Sequence, residues 1–363
     1  MKLLNRRGFL KSSVAASAVL GFPLQANAAD PLKIALLLPS PIGDVGWSHT
    51  LVLGTDAVKA QYGDSVQVSL LENVAEGPDA DRIMNKAVAD GNKVIILGSF
   101  GYMNGGLQLG KAHPDVSIMH ASGYQVAKNF SPFAAQYFQG TYLMGMAAAS
   151  LSKTKKLGCV GAFAIPELIT SINAFVLGAQ SVDPAIECSV VWVNSWFDPA
   201  KEQEAAKALL AQGVDVLFSN AQDTPSVISV AEAAGAYVFN LNSSMKTYAP
   251  KKYLGVVGTD WSPFFKAGVA AHLAGSFEGA SAWLGFSDKV VFVADWNPDI
   301  SADVVARIAA TEAKIRDGSF MPFTGPLVKQ DGTEMAAAGA VLPNDAILGM
   351  DWHVKGVTTP LPQ

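Results

Sequence analysis

Cysteine is nearly absent from this 363-residue chain: Cys159 and Cys188 are the only two. Two thiols make no disulfide scaffold, and with no CxxC and no Cys/His spacing they make no zinc site. Both fall in apolar stretches expected to be neighbouring strands, which leaves either one bridge or two buried free thiols. Histidine is sparse too. His49, His113, His120, His272 and His353 show no metal-ligand spacing. His113 and His272 read as surface or packing residues, and His49 as a possible donor to a ligand. GxSxG, GxxxxGK[ST] and HExxH are all missing, so the familiar hydrolase, phosphate-loop and zinc-protease constellations are excluded. Asp44 and Asp198 are the acids that invite an acid/base reading. The Gly-rich loop Gly98–Gly106 has no Lys or Arg before Lys111, which favours a tight strand-to-helix turn over a phosphate cradle. Net positive charge is also lacking: 26 Lys and Arg stand against 31 Asp and Glu, a formal charge of −5. That disfavours nucleic acid and anionic membrane surfaces as partners. The expectation is a binding protein without metal or cofactor, not an enzyme.

The N-terminus carries an address. Asn5-Arg6-Arg7-Gly8-Phe9-Leu10-Lys11 is a twin-arginine pattern, followed by the apolar stretch Val14–Leu24 and the small-residue site Ala26-Asn27-Ala28. Together they read as an export signal over residues 1–29. The apolar stretch is shorter than the roughly 20 residues of a membrane span. No Cys lies near the cleavage site, so no lipid anchor is expected. Removing the signal takes away four cations and moves the formal charge from −5 to about −9. The mature protein is expected in the periplasm.

Beyond the signal, short apolar runs alternate with amphipathic stretches. Strands are predicted at Lys33–Leu38, Val66–Leu71, Lys93–Leu97 and Val116–His120. A second series follows at Lys156–Val160, Ile186–Trp192, Val214–Ser219, Ala236–Asn240, Gly255–Val257 and Lys289–Val293. Helices are predicted at Asp79–Asp90, Thr141–Leu151, Pro199–Gln212 and Thr224–Ala234. This βαβα order implies α/β architecture with parallel sheets covered on both faces. The series runs twice, with Ser122–Gln136 read as a crossover between lobes. The expected division is a first lobe at 30–130, completed by about 259–285, and a second at 131–258, completed by about 286–340. Residues 341–363 form a C-terminal segment. Half the residues are apolar, enough for a large core. Two such lobes enclose a cleft, and clefts between domains are a preferred place for small ligands.

One loop stands out. Lys33–Leu38 runs into Pro39-Ser40-Pro41-Ile42-Gly43-Asp44-Val45-Gly46-Trp47-Ser48. Open α/β sheets bind ligands at loops that follow their strands. Trp47 offers such a loop a flat apolar plate with one N–H donor.

Five stretches in order carry a family resemblance. They are Asp44-Val45-Gly46-Trp47-Ser48, Thr141–Ala148, Ser152–Gly161, Ser195-Trp196-Phe197-Asp198-Pro199 and Ala211–Val216. They match, in turn, D-x-S-F-N, a Y-L-A-G helix, S-K-T-G-K-I-G-x-V-G, an F-D-P turn and a further landmark. Over roughly residues 32–300 the chain resembles the basic membrane protein family of periplasmic solute-binding proteins, which serve ABC importers. The resemblance implies a type I periplasmic binding protein: two doubly wound parallel-sheet lobes joined by crossover hinge strands. It also implies a permease partner and a purine nucleoside ligand, stacked on an aromatic ring and held by carboxylates.

Carried over by position, the pattern changes. The stacking Phe becomes Trp47 and the Asn after it Ser48. The acid expected after the third strand falls at Asn104. V-D-S-D-Q reads Leu241-Asn242-Ser243-Ser244-Met245, so both its acids are gone. The second aromatic is Trp196 or Phe197. Carboxylates suit a ribose diol, whereas Asn pairs bidentately with a base edge. The substitutions therefore imply a free, adenine-like nucleobase. Trp47 is expected to stack on it, Trp196 or Phe197 to close from the second lobe, and Asn104 and Asn242, with Asn220 as a further candidate, to read its edges. Ser48, Tyr102, Asp223 and Asp260 are candidate second contacts. The alternatives are a purine nucleoside or other small polar solute, or a ligand-sensing subunit for a membrane receptor.

Overall fold

Buried apolar runs set the strands of this protein. The computed structural model describes residues 30–362, and Pro31–Gln363 form one compact unit. The twin-arginine stretch and the rest of 1–29 lie outside the described residues.

The first half alternates β1 (Leu32–Leu37), α1 (Gly46–Tyr62), β2 (Val66–Leu71), α2 (Pro78–Ala89), β3 (Val94–Leu97), α3 (Met103–Ala112), β4 (Ser117–Ala121) and β5 (Phe130–Ala135). The second alternates α4 (Tyr137–Leu151), β6 (Lys156–Gly161), α5 (Pro166–Gln180), β7 (Glu187–Trp192), α6 (Pro199–Ala211), β8 (Val216–Asn220), α7 (Ser226–Ala234), β9 (Tyr237–Asn242) and β10 (Tyr253–Thr259). The chain then returns to the first lobe with α8 (Ser262–Leu273) and β11 (Ala282–Leu284), and to the second with β12 (Val291–Ala294) and α9 (Ala302–Arg316).

The first sheet has the order β11-β5-β4-β3-β1-β2 and is parallel throughout. The second runs β12-β10-β9-β8-β6-β7, with β12 alone antiparallel. The two windings are the same, so the doubled series in the sequence is a doubled doubly wound lobe. All four residues of β3 and all five of β8 are buried, as expected for central parallel strands.

Two strands of the large sheets escaped the sequence reading, as did a short hairpin pair at Leu327–Val328 and Glu334–Ala336. Phe130–Ala135 lies inside the stretch read as a crossover, yet it is an interior strand of the first sheet. Pro132 hid it, because proline is normally confined to edges. Pairing with β11 begins only at Phe133, so the sheet asks for no N–H from Pro132 on that side. The change of lobe therefore falls at Gln136, with further crossings at Asp260–Trp261 and between Leu284 and Val291. β11 has only three residues, too few to show a period. Residues after 341 pack on the second lobe: α10 (Asn344–Leu348) sits against α5, and Cys188 N donates to Gly356 O at 2.8 Å.

The helices α4 and α5 meet backbone to backbone. A Cβ on Gly145 would come within 2.0 Å of Phe175 O, and one on Gly178 within 1.9 Å of Tyr142 O. Only glycine permits that approach. Cys159 and Cys188 are free, buried thiols on the neighbouring strands β6 and β7. Burial pushes both pKa values up, which keeps them protonated and inert.

Candidate functional site

Ligand sites in open α/β sheets form at the carboxyl ends of strands, where the strand order reverses. In the first sheet that point lies between β1 and β3, and in the second between β6 and β8. Loops from those ends face one another across the cleft and enclose a cavity. It holds about 450 Å3 of empty space, open solvent at its mouth included.

The first lobe supplies Pro39 and Trp47 after β1, Ser99 and Phe100 after β3, and Ser122 after β4. Trp47 is fixed from behind. Its Nε1–H donates to Gly98 O at 2.7 Å, and its ring stands edge-on to the buried Trp261 at 5.8 Å. Ser99 is held by Glu76, which accepts from its hydroxyl, and by His120, whose Nε2–H donates to Ser99 O at 2.9 Å. Burial lowers the His120 pKa to about 4, so the ring is neutral. The Gly98–Gly106 stretch is thus a strand-to-helix turn over 98–102 that runs into α3, and its Ser99 and Phe100 also line the cavity.

The second lobe supplies the ionisable groups. Glu167, in the first turn of α5, accepts from Ser122 Oγ at 2.5 Å and Ala135 N at 3.1 Å. Its protein surroundings push the carboxyl up to about 6. Asp223, in the loop after β8, is buried and accepts from the Ser40 hydroxyl, from Trp47 N at 2.5 Å and from Ser48 Oγ at 3.1 Å. Burial raises its pKa, and those donors hold the rise in check. All three donors belong to the other lobe. Gly46 makes this possible: its φ is +89°, and a Cβ there would meet Asp223 Oδ1 at 2.7 Å. Asn242, at the end of β9, accepts from the Tyr137 hydroxyl at 2.5 Å through Oδ1, while its buried Nδ2 has no partner. Trp196 completes the wall. It lies 4.6 Å from Phe163, and its Nε1–H reaches Glu76 Oε1 across the cleft at 3.3 Å. Ser122, Ala221 and Asn242 adopt left-handed φ of 57°, 64° and 79° without being glycine. Such strain costs on the order of 1–3 kcal/mol per residue and gathers at ligand sites.

Of the ten residues singled out from the sequence, Trp47, Trp196, Asp223 and Asn242 line the cavity together. Ser48 stands one bond away, on Asp223. Asn220 is buried beneath the wall, its amide donating to Leu168 O at 3.1 Å. Four others lie elsewhere. Tyr102 is buried in the first lobe's core, its hydroxyl donating to Val74 O at 2.5 Å. Asn104 is exposed on α3, two residues past the turn that brings Phe100 inward. Phe197 is 42% exposed because its neighbour Trp196 takes the inward position. Asp260 is exposed and caps α8 by accepting from Ser262 N at 2.9 Å. His49 bonds Gly43 O and does not line the cavity. Asp44 and Asp198 are no pair: one meets Tyr248 and the other caps α6.

Sequence reasoning missed Glu167, Tyr137 and Ser122. The signal available for Glu167 was a Pro-Glu at a helix start just after a strand, which is the position from which this fold reaches its ligand. The resemblance implied acids at the positions of Asn104, Asn242 and Ser244; the cavity's two carboxylates, Glu167 and Asp223, come from other elements. Among the described residues no cluster of His, Cys, Asp and Glu could hold a metal ion, and no helix is long and apolar enough to cross a membrane.

A match to the family of PnrA-like ABC transporter substrate-binding proteins spans residues 32–321. The chain belongs to that family. It is 39% identical over 349 residues to a purine-binding protein of Brucella abortus, covering 96% of this chain and 99% of that one. It is 33% identical over 306 residues to a protein of Haloferax volcanii provisionally named an ABC transporter glucose-binding protein, covering 84% and 77% of the two chains. An ABC transporter solute-binding protein of Aeropyrum pernix shares the fold, with a TM-score of 0.72 at 17% identity over 87% of this chain and 95% of that one. The architecture is that of type I periplasmic binding proteins. This substrate-binding protein is therefore not an enzyme: it works outside the cytoplasm, with a small-molecule ligand and a transporter's membrane subunits as partners.

Proposed function

We propose that this substrate-binding protein captures a purine nucleobase between its lobes and delivers it to an ABC importer, after export through the twin-arginine route to the periplasm. Asn242 carries the reading. Its Nδ2 is the buried polar atom of the cavity lining that has no partner. A buried amide donor left unpaired costs on the order of 1–3 kcal/mol, so the site favours a ligand that supplies an acceptor. A base edge presents an acceptor beside a donor, and Asn meets both at once. Trp47, Phe100 and Trp196 supply the flat apolar surface that a planar ring needs. The purine-binding relative at 39% identity supports the same ligand class.

A nucleoside is the second reading, and Glu167 favours it. Each of its oxygens already accepts one donor and keeps capacity for another, which a ribose hydroxyl could use. Isothermal titration with adenine, guanine, hypoxanthine and adenosine separates the two. Heat with a base is expected. Heat with adenosine alone would overturn the free-base reading.

A further inference from the structure

Beside Glu167 lies a second chamber with about 480 Å3 of empty space, open solvent included. It shares Phe100, Ser122, Ile165 and Glu167 with the ligand cavity, so the two adjoin. Its other walls are mostly apolar: Ala134 and Trp283 from the first sheet, Tyr124, and Ile347 and Leu348 of α10. Tyr124 and Leu348 are 66% and 44% exposed. The chamber has few polar groups to offer. The Thr170 hydroxyl donates to Glu167 O at 2.8 Å, and the Ser122 hydroxyl donates to the Glu167 carboxyl.

We propose that this chamber seats an apolar substituent carried by the ligand, so that the protein binds N-substituted aminopurines: the ring in the first cavity, the substituent's N–H on Glu167 at the junction, and the apolar group beyond it. The proposal rests on the purine reading above. Three observations carry it. The carboxylate stands where the chambers meet, and has room for one more donor. A secondary amine provides that donor and continues outward, which a primary amine does not. The walls beyond are apolar, and an apolar group gains by leaving water for them. A sugar placed there would find only a few polar groups, Glu167, Ser122 and Thr170 among them, against a mostly apolar wall, and each hydroxyl left unpaired is costly.

Titration calorimetry on the whole protein with adenine, N6-benzyladenine and adenosine tests this, since one well-placed apolar group changes affinity roughly tenfold or more. N6-benzyladenine is expected to bind at least tenfold tighter than adenine, and adenosine to show no such gain. Ala134→Phe fills the second chamber and leaves the first untouched. It is expected to hold adenine as before and to lose the benzyl gain. If A134F does not fold, the comparison on the unsubstituted protein still decides. Adenine binding with no gain from the benzyl group, or a gain that survives A134F, would overturn the chamber and leave the purine reading standing. An equal gain from adenosine would overturn its apolar character. No heat from adenine or its derivatives would overturn both.

Discussion

The two walls of the cleft are built from different chemistry. The first lobe contributes Pro39, Trp47, Ser99, Phe100 and Ser122, with no ionisable side chain among them. The second contributes both carboxylates, Glu167 and Asp223, and the unpaired amide of Asn242. The first wall is a platform held from behind by Gly98 O, Trp261 and Glu76, all of its own lobe. The carboxylates of the second wall find their donors across the cleft. A buried charge without those donors is expensive, so the second wall is settled only when the lobes are together. Ligand affinity should thereby be tied to closure, a shift between open and closed populations.

The largest effect is expected where the second wall depends most on the first. Asp223→Ala strands the Ser40 and Ser48 hydroxyls and Trp47 N, and hydrogen bonds to charged groups contribute about 1.5–3 kcal/mol each. Ligand affinity should fall a hundredfold or more, and small-angle scattering should show a molecule that stays open when ligand is added. Closure at normal affinity would dissolve the contrast between the walls. Trp47→Ala removes the platform itself. Stacking contributes roughly 1–3 kcal/mol per base, so the loss should be about tenfold to a hundredfold, with Trp47→Phe recovering most of it. Ligand quenching of tryptophan fluorescence should shrink in Trp47→Ala to the part carried by Trp196.

Glu167 sharpens the comparison through pH. Its carboxyl, raised to about 6 by its surroundings, is ionised at pH 7.5 and largely protonated at pH 5. The ionised form accepts ligand donors, so affinity should drop as pH falls through 6, by up to about tenfold per unit. Glu167→Gln should flatten the profile. The groups around it are Ser122, Ala135 N and the Tyr137 ring. Stability runs the other way. A folded-state pKa above the unfolded value means the fold holds the proton more tightly, so this contribution is fullest below about 4.3 and is lost as pH rises through 6. Asn242→Ala should cost about 1 kcal/mol of binding, roughly fivefold, by removing one neutral donor. The smallest effect belongs to Tyr248→Phe. The Tyr248 hydroxyl meets Asp44 across the cleft at 3.0 Å, but the bond is exposed. A change in affinity within about 0.5 kcal/mol is expected.

The site was legible in the sequence where one residue announced itself. Trp47 sits in a Gly- and Pro-rich loop after a buried strand, and Trp196 in a turn before a proline-started helix. Asn104 and Phe197 misled because a loop pattern does not say which of two neighbours turns inward: Phe100 and Trp196 took those places. Tyr102 misled because an aromatic in a Gly-rich loop looks exposed, whereas here its hydroxyl finds a buried carbonyl. Ser122, Ala221 and Asn242 adopt left-handed backbone without the glycine that would have marked it.

By itself, the sequence determined the periodicity: buried four- to six-residue runs alternating with helices, twice over, and hence two parallel lobes with a cleft. Local hydrophobic spacing is enough for that. Which acids face the ligand was decided only by tertiary structure. Glu167 and Asp223 lie 56 residues apart in the chain, and Asp223 takes its partners from residues some 180 positions earlier. No local pattern encodes such a meeting, because it depends on how two open sheets bring their carboxyl ends together.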